Sequence, residues 1–355
     1  MSQPASQSES VFRHAGIASF AVLLSRISGL VREGVMSRLF GAGAAVDAFV
    51  IGFRIPNLAR DLFAEGALSA AFVPTFVDYL NKKPKEEAAR LVNLVATAII
   101  LFVGGLCVLG IFASPWLVAL VTGHWVEDAP AKYAQAVRLT QIMFPFLLLV
   151  ALAAQAMGVL NSLNQFAVPA FSSTWFNVGS VAFGVLLGFV AGPRLGISEI
   201  EGMAIGVVIG GALQLGWQLP SLWRAGFRFR FALDWSHPGL RHIFRLMGPA
   251  ILGGASVQIN VLVNTFFATS IDDPIRGVDG PVAWLGYAAL FVAVHDAVND
   301  IAAIAIAVPA VITGRELGLR GGLAAAVALW PVQIGLFFAV DHEPGWDMVA
   351  GPGGL

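Results

Sequence analysis

The chain has 355 residues, 57% of them hydrophobic and only 12% charged, with 21 basic and 22 acidic side chains and a formal net charge of −1. Soluble proteins carry about 25% charged residues, and a soluble domain with a mean hydropathy of +0.78 could not cover its apolar surface. These values exclude an ordinary cytoplasmic enzyme, a disordered chain, a disulfide-rich secreted module and a protein steered to nucleic acid by global charge, and they predict an all-α, polytopic membrane helical bundle.

The opening MSQPASQSESVFRHAG is polar, and residues 1–14 read as a cytoplasmic tail. The apolar stretch after it carries Arg26, Arg32 and Glu33, unlike a cleavable signal core. Ala15–Phe40 and Ala44–Leu80 predict two membrane helices joined by the turn Gly41-Ala42-Gly43. The uncharged run Leu91–Thr122 predicts a third. A second uncharged run, Leu139–Pro193, is too long for one helix, and Asn161-Ser-Leu-Asn-Gln-Phe-Ala-Val-Pro169 divides it into two. Gly202–Trp223, Leu246–Ile271 and Gly321–Val340 are further uncharged spans, and Pro281–Thr313 is one interrupted by His295, Asp296 and Asp300. The sum is about nine transmembrane helices.

The connections alternate in charge. Arg13, then Lys82, Lys83, Lys85 and Arg90, then Arg224, Arg228, Arg230, Arg241 and Arg245, then Arg315 and Arg320 mark one side. Glu127 and Asp128, then Asp272, Asp273 and Asp279, then Asp341, Glu343 and Asp347 mark the other. The positive-inside rule then places the N-terminus in the cytoplasm and, with nine spans, the C-terminus outside. The basic loop 224–245 is explained as a topology determinant; contact with anionic lipid, at about 1 kcal/mol per residue, is the second reading.

Residues 26–65 hold the unusual charge: arginines 26, 32, 38, 54 and 60 and the acids Glu33, Asp47, Asp61 and Glu65. Five arginines facing lipid would cost about 12–17 kcal/mol even on a lenient insertion scale. They therefore face a water-filled cavity, pair with acids or sit at an interface. Arg26, Gly29 and Glu33 share one helix face, as do Arg54, Asn57 and Asp61. Pro56 predicts a kink that widens a cavity at membrane depth. Two readings remain open: ion pairs that lock helices, or a polar lumen for an anionic solute. Arginine suits phosphate, because its planar fork donates two parallel hydrogen bonds and stays charged. Arg38 reads as a snorkelling residue near an interface.

Elsewhere the signals are plain. Cys107, the single cysteine, lies in an apolar run and reads as a buried structural thiol, which leaves no intramolecular disulfide or Cys-based cluster. His14, His124, His237, His242 and His342 are irregularly spaced, so no metal site is expected. Asp296 and Asp300 share a helix face with His295 nearby, a polar relay in outline only. There is no phosphate-binding loop and no hydrolase motif, so catalytic residues and cofactors are expected to be none. Gly210-Gly211 and Gly253-Gly254 predict close helix contacts.

SRISGLVRE, followed by FGAGAAVDAFVIGFRIPNLARDLFAEGALSAAFVP, resembles the opening of the MurJ (MviN) lipid II flippases, within the superfamily of multidrug exporters and polysaccharide flippases. GVLNSLNQFAVPAFSSTWFN at 158–177, MGPAILGGASVQINVLVNTFFAT at 247–269 and GPVAWLGYA at 280–288 are similar in turn, so the resemblance runs from about residue 15 to 288. It implies two helical lobes around a cavity, with a complete six-helix N-lobe over 15–223, a basic cytoplasmic connection over 224–245 and a partial C-lobe of about three helices over 246–355. It implies that a lipid-linked peptidoglycan precursor, lipid II, moves from the inner to the outer leaflet of the bacterial cytoplasmic membrane by alternating access. Partners would be lipid II, membrane lipids and cell wall synthesis machinery, and no nucleic acid. By motif position Arg26, Arg32 and Arg60 would meet pyrophosphate; Arg54 and Asn57 occupy further substrate-side positions, and Glu33, Asp47, Asp61 and Glu65 supply the acids. Asp47 and Glu65 would hold the arginines in place and exchange partners between states.

Two departures stand out. After Trp284-Leu-Gly-Tyr287, where relatives carry an arginine, the chain reads Ala288-Ala289-Leu290-Phe291. Relatives also have fourteen helices, against about nine here. The alternatives to a lipid II flippase are a truncated, non-transporting remnant and an exporter of another polyprenyl-pyrophosphate-linked glycan.

Overall fold

A computed structural model describes the backbone of residues 4–270, 280–283 and 285, and their side chains apart from residues 4–19, 63–66, 256 and 257. All but the last belong to one compact unit, Met1–Trp284. The described residues are helical between short turns. They comprise α1 (Pro4–Phe40), α2 (Ala44–Ala59), a π-helical segment (Arg60–Leu68), α3 (Ser69–Lys82), α4 (Lys85–Thr122), the single turn α5 (Trp125–Asp128), α6 (Pro130–Ser162), α7 (Ala167–Val185), a second π-helical segment (Leu186–Ala191), α8 (Gly192–Leu195), α9 (Glu199–Arg224) and α10 (Pro238–Thr269).

The first seven candidate spans each fall on a helix or a helix with a π segment. Five helices among the described residues are long and apolar enough to cross a membrane: Lys85–Thr122, Pro130–Ser162, Ala167–Leu195, Glu199–Arg224 and Pro238–Thr269. The charge-bearing α1 and the α2–π–α3 stretch complete the seven. The spans expected at 281–313 and 321–340, with His295, Asp296 and Asp300, lie outside the described residues except for a helical start at Pro281.

Three local features depart from the sequence expectation. Helical backbone reaches back to Pro4, through the segment read as a polar tail; Pro4 suits a first turn, where a missing N–H costs nothing. Ala44–Leu80 is not one kinked helix. Pro56 lacks the N–H that would bond Gly52, and from Arg60 the ladder slips into a nine-residue π-helical segment, with Arg60 N–H reaching both Asn57 O and Pro56 O. Nor do the described residues crowd Gly253-Gly254: among them nothing lies within 4 Å of a Cβ placed on Gly253, and one on Gly254 would only touch Leu62 at 3.6 Å.

Other turns form as their residues dictate. Gly41 ends α1 with φ +62, a left-handed conformation that costs glycine nothing. Asn164 adopts φ 59 in the α6–α7 turn, the one non-glycine residue with positive φ among the described residues. Ser198 caps α9 in a reciprocal box with Glu201: Glu201 N–H donates to Ser198 Oγ at 3.4 Å, and Ser198 N–H to Glu201 at 3.0 Å.

The core centres on α6, which packs against α2, α4 and α9, while α7 pairs with α9 and α1 lies along α7. Phe72, Phe76, Leu91, Leu139, Met143 and Phe146 are fully buried there. Phe146 joins α2 to α7, with ring centroids 5.7 Å from Phe53 and 5.3 Å from Phe176. Close α7–α9 packing follows from Gly202, Gly206 and Gly210, one turn apart on one face. A Cβ on Gly210 would sit 2.6 Å from Phe176 O, and one on Gly206 2.6 Å from Gly184 N. Cys107 is buried and its thiol donates to Phe144 O at 3.2 Å, as a structural cysteine does.

Candidate functional site

α1 packs along α7 and only lightly touches α2, so the two charged helices of the first hairpin are set apart. Asn177 on α7 holds α1, donating to Ser25 O at 3.2 Å and to Ser28 Oγ at 3.0 Å, with Gly29 leaving room for its amide. One turn on, the Arg32 guanidinium donates to Glu33 Oε1 from both Nε (3.2 Å) and an η nitrogen (2.6 Å). The same guanidinium lies 5.4 Å from the Phe176 ring centroid and 5.9 Å from that of Phe53. Two aromatic faces and one acid therefore fix the fork while part of it stays accessible, an arrangement suited to an anion. Arg26, two turns earlier, is exposed.

The π-helical segment organises the second cluster. Arg60 donates to Asp61 Oδ1 from Nε at 3.0 Å and an η nitrogen at 2.7 Å, and Asn57 Nδ2 donates to Asp61 Oδ2 at 3.4 Å. Asn57 Oδ1 is buried with no hydrogen-bond partner among the described residues. A buried amide acceptor left unpaired costs about 1–3 kcal/mol, and a ligand donor would recover that. π-helical insertions recur at functional sites because they re-aim side chains. Here the insertion carries Arg60, Asp61 and Glu65 together; the Glu65 side chain lies outside the described residues. Arg54 turns elsewhere, donating to Thr265 Oγ1 on α10 at 3.0 Å. That contact ties the first hairpin to the helix following the basic loop.

The spacing expectation is met in part. Asn57 and Asp61 do share a face and bond. Arg32 and Arg60 each bond the acid next in sequence.

Asp47 departs most. The family resemblance implies that it holds arginines, but its geometry is that of a buried joint with a lysine: the carboxylate is fully buried and takes Lys132 Nζ at 2.7 Å. It also accepts the backbone N–H of Gly280 at 2.7 Å and of Ala283 at 2.7 Å, the opening of the helical stretch at Pro281. Lys132 Nζ in turn lies 4.1 Å from the ring centroid of Trp125, which is fully buried. Three segments far apart in sequence thus meet at one carboxylate. Sequence reasoning missed Lys132. Its signal was a lone lysine just after the acidic Glu127-Asp128 turn, before a long uncharged run.

No group of three or more metal-ligating side chains occurs among the described residues.

With the geometry in view, the likeness to known proteins can be placed. The family model described as lipid II flippase MurJ matches residues 36–311. A lipid II flippase MurJ of Burkholderia cenocepacia is 36% identical over 282 residues, covering 78% of this chain and 52% of the relative. A probable lipid II flippase MurJ of Buchnera aphidicola is 33% identical over 270 residues, covering 76% and 50%. One of Vibrio cholerae is 32% identical over 342 residues, covering 95% and 63%. The chain thus spans about half to just under two thirds of the length of these relatives. A solved structure, lipid II flippase MurJ in an inward closed conformation, shares the fold with a TM-score of 0.64 at 24% identity, covering 84% of this chain and 58% of that one.

Proposed function

The chain belongs to the lipid II flippase MurJ family, and on that premise we propose that it carries a lipid-linked peptidoglycan precursor from the inner to the outer leaflet of the bacterial cytoplasmic membrane, with its N-terminus in the cytoplasm. Residues 15–223 form the substrate-handling lobe, 224–245 the basic cytoplasmic connection, and 246–355 part of the second lobe. The observation that carries this reading is Arg32: a guanidinium held between two rings and an acid and still 22% exposed, on a helix of membrane-spanning length. Arg32, Arg60 and Arg26 receive the pyrophosphate of the head group, and Asn57 Oδ1 accepts a hydrogen bond from a sugar hydroxyl or amide N–H. The acids Glu33 and Asp61 hold the two arginines in reach while the site is empty, and the incoming phosphate competes with them for the same donors.

Asp47 acts differently. By taking the Gly280 and Ala283 N–H groups it clamps the start of the stretch at Pro281 against α2 and α6, so opening that end of the molecule requires this carboxylate to release them. No covalent bond is broken in moving a head group between leaflets, and transport needs no catalytic residue. Contacts with cell wall synthesis machinery belong to the same proposal.

The test is complementation. The chain is expressed in bacteria depleted of their own lipid II flippase, with membrane insertion followed in parallel. Growth is expected, and Arg32→Ala is expected to abolish it while still inserting. Growth of Arg32→Ala would overturn the site. No growth of the parent chain, properly inserted, would favour a lobe that binds without carrying, as Ala288-Ala289 in place of an arginine suggests.

A further inference from the structure

The segment 225–237, between α9 and α10, has a chemistry that the transport site does not use. Its apolar residues alternate: Phe227, Phe229, Phe231, Leu233 and Trp235, with Arg228 and Arg230 between them. Phe227 is buried, but Phe229, Phe231 and Leu233 are more than half exposed. The segment is not loose. Arg230 N–H donates to Asn93 Oδ1 at 3.0 Å and Ala232 N–H to Thr97 Oγ1 at 3.1 Å, one helical turn apart on α4. Arg90 pairs with Asp234 at 3.0 Å, and Trp235 packs edge-on to Phe102 with centroids 5.6 Å apart. An extended strap is thus fastened along α4 with Phe229, Phe231 and Leu233 left largely exposed.

Between this strap and α4, α6 and α9 lies a cavity of about 270 Å³. Val92, Ala96, Leu152, Val159 and Leu219 make its walls apolar, and Arg228 lines it. Among the described residues no carboxylate pairs with Arg224, Arg228 or Arg230. The three helices around the cavity are candidate membrane spans, and the groove with its guanidinium lies toward the ends of α4 and α9 that adjoin the basic connection.

We propose that this groove binds one anionic phospholipid of the surrounding leaflet, an acyl chain lying in the cavity and the phosphate meeting Arg228. The charge is complementary, and a free anion would have no use for the apolar walls. Exposed aromatics flanking arginines are the side chains that settle at a head-group boundary, the rings at the interface and the guanidinium on phosphate. The strap then does more than set topology: the bound lipid fastens the connection between α9 and α10 to the bilayer. This reading stands apart from the transport proposal and holds whether or not the chain moves lipid II.

The test uses the full chain, purified in detergent and titrated with phosphatidylglycerol or with phosphatidylcholine of the same acyl chains, bound lipids being counted by native mass spectrometry. Phosphatidylglycerol is expected to bind at least tenfold tighter. The double variant Arg228→Gln with Arg230→Gln should weaken it about tenfold or more, since each basic residue near a lipid surface contributes roughly a fivefold factor. Lys82→Gln with Lys83→Gln removes the same charge from the other basic loop and should change it less than twofold. Ala96→Phe, which fills the cavity, should weaken both lipids; Leu219→Trp, on another wall, replaces it if that variant does not fold. Equal losses from the two double variants would overturn the proposal in favour of diffuse surface charge. Displacement by millimolar inorganic phosphate, with Ala96→Phe unaffected, would overturn it in favour of a bare anion site. Displacement by stoichiometric polyprenyl pyrophosphate would overturn it in favour of a path for the transported lipid.

Discussion

Arg32 and Arg60 each leave 22% of the side chain exposed and bond the acid next to them in sequence. Lys132 and Asp47 keep 4% and 0% and meet across 85 residues. The chemistry is the same, a cation on a carboxylate, but the surroundings set opposite uses. A pair with water access has already given up much of its Coulomb energy to solvent, and contributes about 0–1 kcal/mol. Its members can change partners cheaply, which a binding site for a charged ligand requires. A fully buried pair has been stripped of water, so either member alone is ruinous, and the pair moves as a unit or not at all. In this chain the accessible pairs sit where ligand exchange is proposed, and the buried one sits where segments far apart in sequence must be held together.

The sharpest way to break that comparison is Lys132→Met. It leaves the Asp47 charge buried beside two backbone donors and should cost about 3–5 kcal/mol of stability, read from thermal or denaturant unfolding of the purified chain. Adding Asp47→Asn should recover part of the loss, because the orphaned charge is then gone. A Lys132→Met protein as stable as its parent would show that the carboxylate is not held by this lysine.

Next in size is Arg32→Lys, which keeps the charge and discards the planar fork and its stacking on Phe53 and Phe176. Binding of a pyrophosphate lipid should fall about tenfold or more, from the loss of one bidentate charge-assisted contact, while stability moves by less than about 1 kcal/mol. Calorimetric titration beside a melting curve separates the two. A large melting shift would mean that Arg32 is structural and the contrast with Lys132 is false. Smaller still is Glu33→Gln. With Glu33 more than a third exposed, stability should shift by about 1 kcal/mol at most, and anion binding should strengthen, because a competitor for the guanidinium has gone.

These contrasts were unevenly legible beforehand. Arg32 and Arg60 announce themselves as charge inside apolar runs, since the cost of arginine in lipid demands an explanation wherever it occurs. The turn at 161–169 was equally plain, from its asparagines and proline. Lys132 was hidden, because a lysine beside Glu127 and Asp128 looks like an ordinary loop charge and nothing local points 85 residues back to Asp47. The π-helical segment was hidden for another reason: Pro56 predicts a disturbance of the helix but not whether the ladder bends or slips. Gly253-Gly254 is a different case: a small pair signals close packing only where a neighbouring helix passes, and among the described residues nothing lies within 4 Å of a Cβ placed on Gly253.

The smallest effect lies at the exposed end of the scale. The Asp234 carboxyl accepts the Ser236 hydroxyl and, at 3.1 Å, the Ser236 N–H, and faces Arg90 at 3.0 Å. The Ser236 hydroxyl first, then its N–H and the Arg90 charge, hold this carboxyl below its ordinary value of 3.8. A carboxyl depressed on folding stabilises the folded state fully above its unfolded value and loses that contribution as pH falls through the lower folded one. Asp234→Asn should therefore leave melting unchanged at low pH, where the parent carboxyl is protonated too, and lower it slightly at neutral pH. A loss from Asp234→Asn at neutral pH as large as that from Lys132→Met would erase the distinction between accessible and buried pairs.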